Sequence, residues 1–94
     1  MGSPPEKHYR RSPDVEESNV GERAVLYHCT LRKALVINPT GSHLWGQLDK
    51  PSTLEGLAQA LRRQFPSLSD QQARADVTRF LDDLVEHQMV MAEE

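Results

Sequence analysis

The Asn38-Pro39 step constrains the fold most, because it separates a strand-rich part of the chain from a helix-rich part. Asparagine is a preferred helix N-cap, and a proline in the first helical position loses no hydrogen bond. Two apolar runs precede the step, AVLYHC over 24–29 and KALVIN over 33–38, and a loop of three residues joins them. This pattern predicts an antiparallel hairpin, to which a weaker strand over 14–20 adds a third member.

Helices are predicted after the step from two kinds of signal, capping residues and apolar periodicity. The first helix runs from Pro39 to about Asp49. Ser52 and Glu55 fit a capping box, which opens a second helix that ends near Gln64. The apolar residues of these two helices recur at helical spacing and predict one buried face on each, formed by Leu44, Trp45, Leu48, Leu54, Leu57, Ala58, Leu61 and Phe65.

The third predicted helix is the longest, from a second capping box at Ser69 and Gln72 to about His87. The apolar residues 89–91 fit either a short closing strand or a tail packed on the core, and we favour the tail. Strands followed by three helices predict an α+β fold: a small winged-helix-like domain whose three-stranded antiparallel sheet packs on three helices.

The first thirteen residues differ from the rest of the chain in composition. They contain three of its six prolines, mixed charges and, as the one large apolar group, Tyr9. Such a segment buries too little to order itself, so we expect a disordered tail over 1–13 and one folded domain over 14–94. No apolar run is long enough to span a membrane, and the N-terminus lacks a secretory signal, so we expect a cytoplasmic protein.

The charged and metal-binding residue types do not form a recognisable reactive site. Four histidines and Cys29 lack the spacing of a zinc site, and no base is placed to activate the thiol, which we expect to be half-buried in its strand. We therefore predict no catalytic residue, no metal and no cofactor.

DNA binding is the alternative function that a winged helix-turn-helix order suggests. The formal charge of −3 argues against it, and the third helix carries Arg74 and Arg79 against five carboxylates, a surface that repels phosphates. We keep a DNA-binding transcription regulator as the alternative, and we expect no nucleic-acid and no membrane partner.

The order and spacing of several short motifs resemble the PqqD family of peptide recognition elements over about residues 14–91. The motifs are Ile37-Asn38-Pro39-Thr40-Gly41 followed by Leu44-Trp45, and Asp76-Val77 followed by Phe80-Leu81 and Leu84. The first motif looks like the free-standing recognition proteins of lasso-peptide gene clusters. Two positions depart from the family: Leu48-Asp49-Lys50-Pro51 replaces a Cys-Asp-Gly stretch, and Gln88 stands where a glycine usually ends the third helix.

The resemblance implies a non-catalytic, winged-helix-like protein that binds the leader segment of a ribosomally synthesised, post-translationally modified peptide. The leader adds as an antiparallel strand beside the third strand, against the third helix, and is delivered to a leader peptidase or another modifying enzyme. An open edge strand fits that role, because its unpaired backbone groups complete a ladder with a partner strand. The implied site residues are Lys33, Ala34, Leu35, Val36, Ile37, Asp76, Val77, Arg79, Phe80, Asp83 and Leu84.

Overall fold

Strands and helices follow one another as predicted, with one additional small sheet. The computed structural model describes residues 7–21 and 23–93. Their elements are β1 (His8–Arg11), β2 (Val15–Val20), β3 (Arg23–His28), β4 (Lys33–Ile37), α1 (Pro39–Gln47), α2 (Leu54–Gln64), α3 (Asp70–Glu86) and β5 (Val90–Glu93). The α+β class, the three helices and the three-stranded antiparallel sheet are confirmed.

The larger sheet has the strand order β2-β3-β4, and both of its pairings are antiparallel. Leu26 of β3 lies opposite Leu35 of β4, and Ala24 lies opposite Ile37. These side chains point to the helices and are buried or half-buried. The alternate residues of β3 and β4 point to the other face, where Val36 is 59% exposed.

Capping residues set the beginning of each helix. The Asn38 side chain accepts a hydrogen bond from the Gly41 N–H at 2.7 Å, and Ser69 caps α3 in the same way. The predicted cap of α2 is wrong by one residue: Thr53, and not Ser52, accepts from the first turn. Ser52 instead forms a backbone bridge to Tyr9.

The core lies between the sheet and the three helices. Its largest fully buried side chain is Trp45 of α1. Leu57 and Leu61 of α2 and Val77 and Leu81 of α3 also contribute to the core. In the part of the chain that the structure describes, no helix has the length and apolar character needed to cross a membrane.

The predicted disorder of the N-terminal segment is wrong for residues 8–11, which form β1; residues 1–6 lie outside the described residues. β1 pairs antiparallel with β5, so the tail favoured for residues 89–91 is also wrong. Tyr9 exchanges two backbone hydrogen bonds with Ser52, at 2.7 and 2.9 Å. Arg11 lies over the Trp45 ring, 4.6 Å from its centre. These contacts with distant residues order a segment that lacks an apolar stripe of its own.

Gln88 ends α3 in the left-handed conformation that favours glycine, with φ of 59°. The Met89 N–H donates to the Leu84 carbonyl at 2.8 Å, and the Gln88 N–H donates to the Val85 carbonyl at 3.0 Å. This pair of bonds is a Schellman motif, with the buried side chains of Met89 and Leu84 as its apolar contact. The turn starts β5 directly after the helix.

Candidate functional site

β4 is an edge of the larger sheet and has an open side. It pairs with β3, and within residues 7–21 and 23–93 no strand pairs with its other side. Its residues after Lys33 are all uncharged, Ala34 to Ile37. An uncharged edge strand with unpaired backbone groups is a template for a further strand.

The direction of the backbone groups follows from one hydrogen bond and the register. Cys29 N–H donates to the Asp14 carbonyl at 2.9 Å, and these two residues continue the register in which His28 faces Val15. Antiparallel pairs alternate between hydrogen-bonded and non-hydrogen-bonded. The next pair, His28 with Val15, is therefore not bonded, and His28 directs its backbone groups to β4. The Arg32 N–H accordingly donates to the His28 carbonyl, at 2.8 Å.

The same alternation along β4 identifies the open groups. His28 faces Lys33 and Leu26 faces Leu35, so these residues of β4 bond to β3. Ala34 and Val36 then point their N–H and C=O groups away from the sheet. Outside the ladder with β3, neither makes a backbone hydrogen bond within the described residues. An incoming strand therefore finds two N–H groups and two carbonyls on this side.

A groove runs between β4 and α3 and ends at the first turn of α1. It contains two adjoining cavities of about 110 and 230 Å³, and Asn38, Phe80 and Asp83 line both of them. The smaller cavity is completed by Leu35, Val36 and Ile37, and the larger by Thr40, Gly41, Leu44, Asp76 and Arg79.

Close packing of Phe80 against α1 closes the bottom of the groove. A Cβ atom at Gly41 would lie 3.0 Å from Phe80 Cε1 and 3.2 Å from the Ile37 Cβ. These distances are shorter than most Cβ contacts, so a side chain at this buried position would displace the Phe80 ring by a few tenths of an ångström. The Phe80 ring remains half-buried and forms an apolar wall.

The sequence and the fold both have counterparts among known proteins. The family model described as "Coenzyme PQQ synthesis protein D (PqqD)" matches residues 23–90 of the chain. The chain belongs to the PqqD family. The match includes β3, β4 and all three helices, among them the three elements that line the groove, β4, α1 and α3. The family assignment made from the sequence motifs is confirmed.

Two solved structures share the fold of this PqqD family member. A structure of TbiB1 in complex with the TbiA(beta) leader peptide has a TM-score of 0.76 and 20% identity, covering 86% of this chain and 93% of that one. A lasso peptide synthetase B1 complexed with the leader peptide has a TM-score of 0.75 and 18% identity, covering 88% and 96%. No curated protein matches the chain in sequence.

Most of the residues implied for the PqqD-family site lie together at the groove. Leu35, Val36, Ile37, Asp76, Arg79, Phe80 and Asp83 line one cavity or both. Ala34 contributes outward backbone groups. Lys33 lies at the far end of β4, where its Nζ is 3.5 Å from Gln88 Oε1.

Two implied residues are placed differently. Val77 and Leu84 are fully buried in the core, so the expectation that their side chains form the groove wall is wrong. They instead hold the inner side of α3 against α2 and the sheet. The sequence reading missed the contribution of the first turn of α1, including Thr40 and Gly41. The signal was present, because Asn38-Pro39 starts the helix directly after β4.

Neither Cys29 nor His28 is placed as a reactive group in this PqqD-family fold. Cys29 follows β3 and is exposed, so the expectation of a half-buried thiol is wrong. Desolvation raises the pKa of the Cys29 thiol, and the carboxylate of Glu16 raises it further, which disfavours the nucleophilic thiolate. His28 is buried, and its Nδ1 accepts from the Leu31 N–H at 3.2 Å. Among the described residues no cluster of three or more potential ligands could hold a metal ion.

The arginines of α3 are engaged with carboxylates. Arg74 bonds to Asp70 at 2.9 Å and also to Glu55, and these hydrogen bonds raise the pKa of the guanidinium, Asp70 contributing most. Arg79 lies 4.0 Å from Asp76. A helix that offers its arginines to its own acidic residues is poorly suited to contact a phosphate backbone.

Proposed function

We propose that this protein binds the leader segment of a ribosomally synthesised precursor peptide by β-strand addition to β4, and presents the peptide to a leader peptidase or another modifying enzyme. The proposal includes no reaction on the protein itself. Because such a precursor is made by ribosomes, the place of this encounter is the cytoplasm.

The observation that carries the proposal is the outward direction of the Ala34 and Val36 backbone groups beside the groove. A strand on this edge forms main-chain hydrogen bonds that do not depend on its sequence. Its alternate side chains then point into the cavities beside Phe80. Backbone pairing accounts for affinity, and the cavities account for the choice of peptide.

The two structures of similar fold support this function, because each contains a B1 protein together with a leader peptide. At 20% and 18% identity, this likeness is one of fold alone. The groove supplies the independent argument, since an edge strand, an apolar wall and the end of a helix meet there.

A preformed groove also suits the energetics of binding a flexible leader. Ordering a disordered segment costs about 2 to 5 kcal/mol of the gross interaction free energy. The groove limits that cost to the peptide, because β4, α1 and α3 are already held by the core. The half-buried Phe80 ring offers apolar surface against which a bound side chain loses contact with water.

Hydrogen exchange on single amides tests the proposal. The probe is a precursor peptide sought among short reading frames beside this gene, and we expect its leader to slow exchange at Ala34 and Val36 strongly. The amides of Lys33, Leu35 and Ile37 already bond to β3 and serve as internal controls. Binding that leaves the Ala34 and Val36 amides unprotected would contradict strand addition.

The DNA-binding alternative has no supporting observation in the structure. A duplex-binding winged helix presents basic and amide side chains from its recognition helix. Here α3 is rich in carboxylates: Asp70, Asp76, Asp82, Asp83 and Glu86. A gel shift at low salt checks this point, and we expect no retarded DNA.

A further inference from the structure

The groove carries a negative charge without a partner at Asp83. This residue lines both cavities, yet within residues 7–21 and 23–93 its carboxylate forms no ion pair and accepts no side-chain hydrogen bond. The neighbouring Asp76 differs, because Arg79 lies 4.0 Å away. Lys33 is directed to Gln88 at the far end of β4. One carboxylate in the groove is therefore available to a ligand.

Phe80 stands one helical turn before Asp83 on the same side of α3. An aromatic wall beside a carboxylate suits a particular class of side chain. Lysine and arginine combine a long aliphatic stem with a cationic head, and the stem packs on apolar surface while the head stays at a polar rim. A cation over an aromatic face gains further attraction.

The pleat of the bound strand restricts where such a side chain lies. Ligand residues that bond directly to Ala34 and Val36 project to the outer face, because directly opposed residues share a face. The ligand residue opposite Leu35 projects to the helix side. There it meets the smaller cavity, which Phe80 and Asp83 line. The ligand residue opposite Ile37 projects to the same side, where Ile37 and Asn38 also line the smaller cavity.

We propose that the bound leader places a lysine or arginine opposite Leu35, with its stem against Phe80 and its cation at Asp83. This proposal rests on the proposed function, since it requires a leader strand on β4. It assigns charge selectivity to Asp83, apart from the backbone pairing that any strand can make. An acidic side chain at the same ligand position is rejected, because its negative charge would lie beside the carboxylate of Asp83 and be repelled by it.

Selection from random peptides tests the assignment without knowledge of the natural leader. The full-length protein, immobilised, is offered a library of random dodecapeptides made by mRNA display. Asp83→Lys is the test variant. Asp82→Lys is its control, because Asp82 is the adjacent exposed residue, carries the same charge and lines neither cavity.

We expect the parent protein and Asp82→Lys to enrich lysine or arginine at one fixed position, with apolar residues two positions away. Asp83→Lys should enrich aspartate or glutamate at that position. For one selected peptide, replacing the basic residue by glutamine should weaken binding about fivefold to the parent, as an exposed ion pair allows, and not to Asp83→Asn.

Two other results have distinct meanings. Peptides that bind the parent, lose affinity for Ala34→Pro and show no basic preference would overturn the assignment to Asp83 and leave strand addition intact. A library from which no peptide is enriched, or whose selected peptides ignore Ala34→Pro, would count against the proposed function and the inference together.

Discussion

The two edges of the larger sheet are built from the same backbone geometry and differ in their side chains. β2 and β4 each direct the N–H and C=O groups of alternate residues away from the sheet, Glu17 and Asn19 on β2 and Ala34 and Val36 on β4. Five of the six residues of β2 are exposed, among them two glutamates. β4 has no charge after Lys33 and lies beside α3.

This difference shows how one sheet can present a closed edge and an open edge. A charge such as Glu17, on the helix-facing side of the strand, discourages a second strand because its burial is costly. The two cavities of the groove lie beside β4, and none of their lining residues comes from β2. Selectivity for the β4 edge thus depends on what surrounds the ladder, since the ladder itself is available on both sides.

Proline at a β4 residue whose backbone bonds to β3 gives the largest expected effect on stability. Leu35→Pro removes an N–H that bonds to Leu26 and introduces a ring into a half-buried ladder. We expect it to lose about 3 kcal/mol or more of folding free energy, which leaves a domain of this size largely unfolded. Circular dichroism with urea unfolding measures it. A cooperatively folded Leu35→Pro would show that the N–H of Leu35 does not bond to β3 and that the outward groups belong to other residues.

β1 extends the comparison to a strand with both sides occupied, by β5 on one side and by Ser52 on the other. Deleting residues 1–12 removes the Tyr9 side chain from the core and the Arg11 contact with Trp45. We expect the deletion to lower the unfolding free energy by about 2 to 3 kcal/mol, from lost apolar burial and hydrogen bonds. Calorimetry checks the shift in Tm. Arg10→Ala, which loses only the exposed ion pair with Glu93, should change Tm little.

Proline at a β4 residue whose N–H points away from the sheet is expected to affect peptide binding without affecting folding. Ala34→Pro removes an N–H that points away from the sheet, so the domain stays folded and leader binding weakens by about 1 to 3 kcal/mol. Glu17→Pro is the matched control, because it removes an equivalent outward N–H from β2. We expect it to fold and to bind the leader like the parent. Isothermal titration of both variants measures their affinity for the leader. Equal losses of affinity would contradict the assignment of binding to β4 and not to β2.

Gln88→Gly changes stability without touching either edge. Glycine adopts the left-handed conformation of this position without steric cost, so we expect a gain of about 0.5 to 1 kcal/mol in the free energy of unfolding. The lost contact with Lys33 is long and exposed, and contributes little. Leader affinity should stay the same. A loss of affinity would indicate that the groove extends to this end of β4.

Removing the charge from the closed edge gives the smallest effect on stability. Glu17→Val keeps the strand and changes the unfolding free energy by less than about 0.5 kcal/mol, as exposed substitutions usually do. The variant should self-associate at high concentration, since its edge no longer resists pairing. Sedimentation of the parent and the variant side by side measures this. A variant that stays monomeric would assign the protection of β2 to its shape instead of its charge.

Much of the fold was predictable from local signals. The Asn38 and Ser69 caps and the apolar stripe of α2 each act within one or two helical turns, where sequence patterns are informative. β1 was missed, and β5 was weighed only as the less favoured alternative to a tail, because the two strands depend on one another across most of the chain. The HYRR segment of β1 has no pattern that indicates a strand until Trp45 and β5 lie beside it.

The site was predictable in part for a related reason. The stripe Asp76, Phe80 and Asp83 and the stripe Val77, Leu81 and Leu84 share the same spacing and are rotated by one residue. Spacing alone does not tell which stripe faces the groove and which faces the core. The structure resolves it through burial, because the second stripe is fully enclosed. Which residues of β4 point outward likewise required a hydrogen bond on the other side of the sheet, between Cys29 and Asp14.

The pairing of β1 with β5 makes the path of the backbone nearly circular. His8 lies opposite Glu93 in the antiparallel register, so a linker of a few residues would join them without disturbing either strand. New ends could then be opened in the exposed turn between α2 and α3, at residues 66–67. Such a circular permutant keeps every strand pair. It also keeps the β4–α1 connection, beside which the groove lies. The packing of this domain is thus compatible with more than one order of its elements along the chain.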